Sequence, residues 1–214
     1  MQQLLEVVGF DPSMNNWGVA KGTLDPRDLS TLKIHTLDVI SIEAPKGKTV
    51  RQNSKDLVVS MGLHKESYKH AKGVKLIFAE VPHGSQSSRA SVGYGICVGV
   101  LGSLRNSGIN FHEVSAMEVK RVIGTAKPSK QDVIQWAYDK HPEAPWPFKT
   151  SKGVTTIVES KAEHMADAIV SIYAGFQTQS FKQALAFLWE VLWNTYSHKH
   201  RSPPLWLTCL KHKM

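Results

Sequence analysis

The chain has 214 residues, 42% of them hydrophobic, enough to bury one sizeable core and leave room for an appendage. Its 26 Lys and Arg outnumber 18 Asp and Glu, and the net charge of +8 favours polyanionic partners, nucleic acid before anionic membrane. The two cysteines, Cys97 and Cys209, stand in no metal-binding or paired spacing, no basic signal-peptide region opens the chain, and the longest uncharged stretch, 91–104, is too short to span a bilayer, so an intracellular protein without membrane association is expected.

Three β-rich segments come first, at 4–11, 17–24 and 32–44, joined by short turns that suggest an antiparallel meander. The first, around Val7-Val8-Gly9-Phe10, ends on Asp11, a poor strand residue that serves either as a turn cap or as a ligand at a sheet rim. A helix is expected over 50–72, with Leu57, Met61, His64, Tyr68 and Ala71 at helical spacing along one face. The run "VKLIFAE" at 74–80 reads as a strand buried on both faces and also ends on a carboxylate, Glu80. A polar loop leads into a Gly-rich helix over 88–106, where Gly95 and Gly99 suit close internal packing. Another strand follows at 109–114.

Three helix starts carry the Ser-x-x-acid spacing of a capping box: Ser115/Glu118, Ser129/Asp132 and Ser160/Glu163. The Pro- and Gly-rich stretch 141–156 reads as a loop. From Ser180 the composition changes to an apolar stripe containing Trp189 and Trp193, followed by a basic, Pro-containing tail. The order β-β-β-α-β-α-β-α-α-α implies an α/β fold with a mixed sheet and helices on both faces. The expected division is a domain over 1–178 and a C-terminal helix with a basic tail over 179–214.

If the strands ending at Asp11 and Glu80 are parallel neighbours, both acids emerge at the carboxyl edge of the sheet, where open α/β sheets build their sites. His164 and Asp167, i and i+3 on the helix read from "AEHMADAI", share a face that can reach the same rim. Crowded carboxylates call for cations among them, and oxygen ligands with one imidazole suit Mg²⁺ or Mn²⁺ better than zinc. Such ions can activate water and stabilise a leaving oxygen in phosphodiester cleavage. Lys120, Lys127 and Lys130, on a helix pair beside the site, are candidate phosphate contacts.

The segments "VVGFDPSMNNWGVA", "LIFAEVP", "INFHEVSAMEVKRVIGTAKPSKQDV" and "AEHMADAI", in that order, resemble the RuvC family of Holliday-junction resolvases, over roughly residues 5–175. The resemblance implies a ribonuclease H-like fold with a five-stranded sheet. It implies a Mg²⁺-dependent endonuclease that resolves four-way DNA junctions in recombination and repair, in a bacterial or phage-infected cell. Its catalytic and metal-ligating positions fall on Asp11, Glu80, His164 and Asp167, with His164 where many members carry Asp. Family lysines that meet the DNA backbone match Lys120 and Lys130. The loop that probes the junction centre matches roughly Pro82–Ser91, which adds His83, Ser85 and Arg89 to the candidate DNA contacts. The family's homodimer helix corresponds to 88–106. Competing readings are a nuclease of the same fold acting on flaps, forks or RNA–DNA hybrids, and a non-catalytic junction-binding protein.

Overall fold

A computed structural model describes residues 4–47, 49–84 and 87–187. They fall in two units, the first ending at Thr178 and the second starting at Gln179, where residues 179–187 are helical. Ser85 and the Trp189/Trp193 stripe lie outside the described residues.

In the first unit, β1 (Leu5–Asp11), β2 (Trp17–Asp25) and β3 (Asp28–Ile40) form the antiparallel meander. After α1 (Gln52–Ala71), β4 (Leu76–Glu80) adds parallel to β1. After α2 (Ser88–Asn106), β5 (Asn110–Val114) adds parallel to β4, giving the order β3-β2-β1-β4-β5. Helices α3 (Ala116–Ile123), α4 (Lys130–Lys140) and α5 (Glu159–Gln177) complete the unit.

Alternation along the strands explains their continuous apolar character. Val8, Phe10, Val19, Ile77 and Ala79 share one core with Val59 and Leu63 of α1 and Cys97, Val100 and Leu104 of α2. The opposite pleat is covered by α5, whose Ala168, Ile169 and Ile172 are fully buried. A strand covered on both faces has no polar side to show. This is the expected mixed five-stranded sheet flanked by helices.

Several local expectations are corrected. The buried residues of α1 are Asp56, Val59, Leu63, Ser67 and Ala71, whereas Leu57, Met61, His64 and Tyr68 are exposed. The inward face is masked in the sequence because it includes Asp56, held bidentately by Arg89 at 2.5 and 2.7 Å, and the small Ser67. Strand β3 begins at Asp28 rather than at 32 and ends at Ile40. The boxes at Ser115/Glu118 and Ser129/Asp132 form, but α5 starts after Val158, so Ser160 lies inside the helix and caps nothing.

The stretch read as a loop contains a hairpin, β6 (Phe148–Ser151) and β7 (Val154–Ile157). Lys152 and Gly153 turn it with φ of 51° and 79°, the left-handed pair that matches the twist of two-residue hairpins. On α2, a Cβ built at Gly95 or Gly99 would meet no atom of the described residues within 4 Å, so among these residues neither glycine serves close packing.

Candidate active site

The parallel register pairs Phe10 with Ala79, so the next residues, Asp11 and Glu80, leave adjacent strands on the same edge. Helix α5 reaches that edge because the sheet has no side chains in its way. A Cβ on Gly9 would lie 2.1 Å from the Ala168 carbonyl oxygen, and one on Gly18 only 2.0 Å from that of His164. Gly18 pairs with Asp11 across β1 and β2, so the contact that seats α5 also fixes His164 beside Asp11. The His164 Nδ1 and Asp11 Oδ2 atoms are 3.1 Å apart.

The electrostatics reflect this crowding. Burial, and secondarily the Asp11 charge, push the Glu80 carboxyl up to about 7. Burial and the charges of Asp11 and Glu80 hold Asp167 far above the ordinary carboxyl range. His164 is raised by its hydrogen bond to Asp11. Asp11, Glu80, His164 and Asp167 therefore form one electrostatic cluster, although they come from β1, β4 and α5.

One hollow opens on the cluster and a second adjoins the first. The first, about 230 Å³, is lined by Glu80, Lys120, Lys130, Glu163 and Asp167. The other, about 770 Å³, shares Lys120 and is lined by His83, Met117, Arg121 and Thr125. This mixed five-stranded sheet flanked by helices is similar to solved structures. The structure of T. thermophilus RuvC in complex with Holliday junction substrate covers 80% of this chain and 96% of its own, at 14% identity and a TM-score of 0.53. Thermus thermophilus RuvC by itself gives a TM-score of 0.52 at 14% identity over 80% and 95% of the two chains. The yeast mitochondrial Holliday junction resolvase, Ydc2, gives 0.50 at 14% identity over 85% of each. This is the RuvC-type, ribonuclease H-like fold. No family model matches the sequence, and no curated protein does.

Within the RuvC-type fold the remaining candidates separate. Lys120 and His83 line the larger hollow. Lys130 pairs with Glu163 at 2.7 Å while its side chain stays 70% exposed. Lys127 is exposed in the α3–α4 connection. Arg89 ties α2 to Asp56 of α1. Sequence reasoning overlooked Arg121, and it assigned Glu163 to a cap. Glu163 instead stands one helical turn before Asp167 on the same face, and that i, i+4 spacing was the available signal.

Three carboxylates are hard oxygen donors whose mutual repulsion a divalent cation offsets, and one imidazole is a borderline donor beside them, so the residues present suit Mg²⁺ or Mn²⁺ chemically. Among the described residues, no three of His, Cys, Asp or Glu are already arranged as a metal cluster. Asp11 and His164 engage each other instead.

Proposed function

We propose that the chain is a metal-dependent, structure-selective endonuclease that hydrolyses phosphodiesters in four-way DNA junctions. The observation that carries this reading is the convergence of Asp11, Glu80, His164 and Asp167 at the carboxyl edge of the sheet, two of them with carboxyls raised by burial and like charge. The likeness to RuvC and to the yeast resolvase supports it, as does the net charge of +8.

The chain's own residues have separable tasks. Asp11, Glu80, His164 and Asp167 would hold Mg²⁺, which when bound acidifies water and neutralises charge at the scissile phosphate. Asp11 orients His164 through their hydrogen bond, selecting which ring nitrogen faces the cleft. Without the ion Glu80 titrates near neutrality, so holding Mg²⁺ at working pH requires its carboxyl to give up a proton. Lys120 and Lys130 flank the acids and position the phosphodiester. Lys127 and His83, both exposed, are further candidate contacts to DNA, together with Ser85 and Arg89 of the 82–91 segment.

A four-way junction offers two symmetric strands, which a two-fold dimer with two acidic sites matches. The dimer seam is assigned to α2, where, among the described residues, Gly95 and Gly99 leave open space and Val92 and Val98 are exposed.

The test is incubation with a four-way junction, a linear duplex and a flap, with Mg²⁺ or with EDTA. Paired, Mg²⁺-dependent cuts in the junction are expected. Cleavage that persists in excess chelator rejects the metal requirement, and preference for the flap moves the substrate to another branched form.

A further inference from the structure

The β6–β7 hairpin is unexplained by the acidic site and by the core. It is a separate two-stranded sheet, and seven of its eight strand residues are exposed, including Phe148 at 51% and Val154 at 61%. An isolated two-stranded hairpin of this kind is marginal in water, so it contributes little to folding.

Its base is nevertheless firmly held. Val158 N–H donates to the Pro147 carbonyl at 2.7 Å and Phe148 N–H to that of Trp146 at 3.0 Å. Trp146 is buried, with its Nε1–H donating to the His141 carbonyl at 2.8 Å. The hairpin thus has a fixed base and a tip that projects about 13 Å at the usual strand rise.

Its position and chemistry are specific. Val158, the residue after β7, is the N-cap of α5, and His164 follows six residues later, about 9 Å along the helix. Between Glu143 and Glu159 the chain has two lysines, Lys149 and Lys152, and no acid. Thr150, Ser151, Thr155 and Thr156 supply exposed hydroxyls. Cations and hydroxyls on an exposed projection with an anchored base are the groups that contact nucleic-acid phosphates without reading sequence.

We propose that the β6–β7 hairpin is a phosphate-contacting arm that lies along a duplex DNA arm leaving the acidic site. This rests on the nuclease reading of that site and adds a binding element outside it. Lys149 lies on one strand and Lys152 at the turn, so the two cations engage separate phosphates.

The test compares wild type with the double variant Lys149→Gln/Lys152→Asn in binding a labelled four-way junction over a salt series. Asn tolerates the left-handed backbone at 152, and both side chains are exposed, so the melting temperature should match wild type. The slope of log affinity against log salt should fall by about 0.9 for each phosphate no longer neutralised, close to two units for both lysines. Wild-type binding with an unchanged slope in the double variant overturns the arm and leaves the nuclease reading intact. A wild type that binds neither junction nor duplex overturns both.

Discussion

At the scale of single residues, chemistry and stability can be separated because the acids are not core. Asp11→Asn should lower junction cleavage by roughly three orders of magnitude or more, as losing one member of a catalytic unit does, while junction binding and melting temperature stay near wild type. Glu80→Gln and Asp167→Asn should behave alike and non-additively. His164→Asp should keep activity, because a carboxylate can replace the imidazole as a donor; a folded but inactive variant would reject His164 as a replaceable ligand. Glu80 also sets a pH dependence. Its folded value, about 7, lies above the ordinary 4.5, so the folded state prefers the protonated form. Its contribution is complete below about 4.5 and is lost as pH rises towards 7. In EDTA the melting temperature should therefore fall across that window, and Glu80→Gln should flatten the fall. Added Mg²⁺ should recover stability most at the upper end, where the carboxylates are ionised.

At the scale of elements, α5 against β1 and β2 is the contact on which the site depends. Gly18→Val places a side chain on the His164 carbonyl, a backbone atom that cannot move without moving α5. Overpacking there should cost about 3 kcal/mol, the upper end for such insertions, and should abolish cleavage even in molecules that remain folded. Denaturant unfolding together with a cleavage assay checks both halves, and an active variant would show that α5 tolerates displacement. The capping box of α3 is a milder device: Ser115→Ala should cost about 1 kcal/mol and leave the acids in place.

At the scale of the whole molecule, light scattering at assay concentration should show a homodimer, and Gly99→Arg should yield monomers. A Cβ at Gly99 meets no atom of the described residues within 4 Å, so monomers formed by a variant of wild-type stability place the seam on α2. A wild-type monomer that still makes paired cuts would refute the dimer. Lys120→Ala and Lys130→Ala should each reduce the salt slope of DNA binding by about one unit without moving the cut. Among the described residues no helix is long and apolar enough to cross a membrane.

The sequence by itself determined the sheet, because strands buried on both faces leave uninterrupted apolar runs at Val7–Phe10 and Leu76–Ala79, and an acid at the end of each marks the rim. It also determined the caps of α3 and α4, which depend on residues three apart. Tertiary structure decided what local spacing cannot express. The inward face of α1 includes Asp56 because Arg89, 33 residues away in sequence, neutralises it. The need for glycine at 9 and 18 emerges only when α5 is laid across them. The β6–β7 hairpin escaped a hydrophobic pattern because it buries almost nothing, and turn chemistry at Lys152-Gly153 defines it instead. The four acidic-site residues were legible as types, but their proximity exists only once Asp11 and His164, 153 residues apart, are brought within hydrogen-bonding distance by a helix resting on bare backbone.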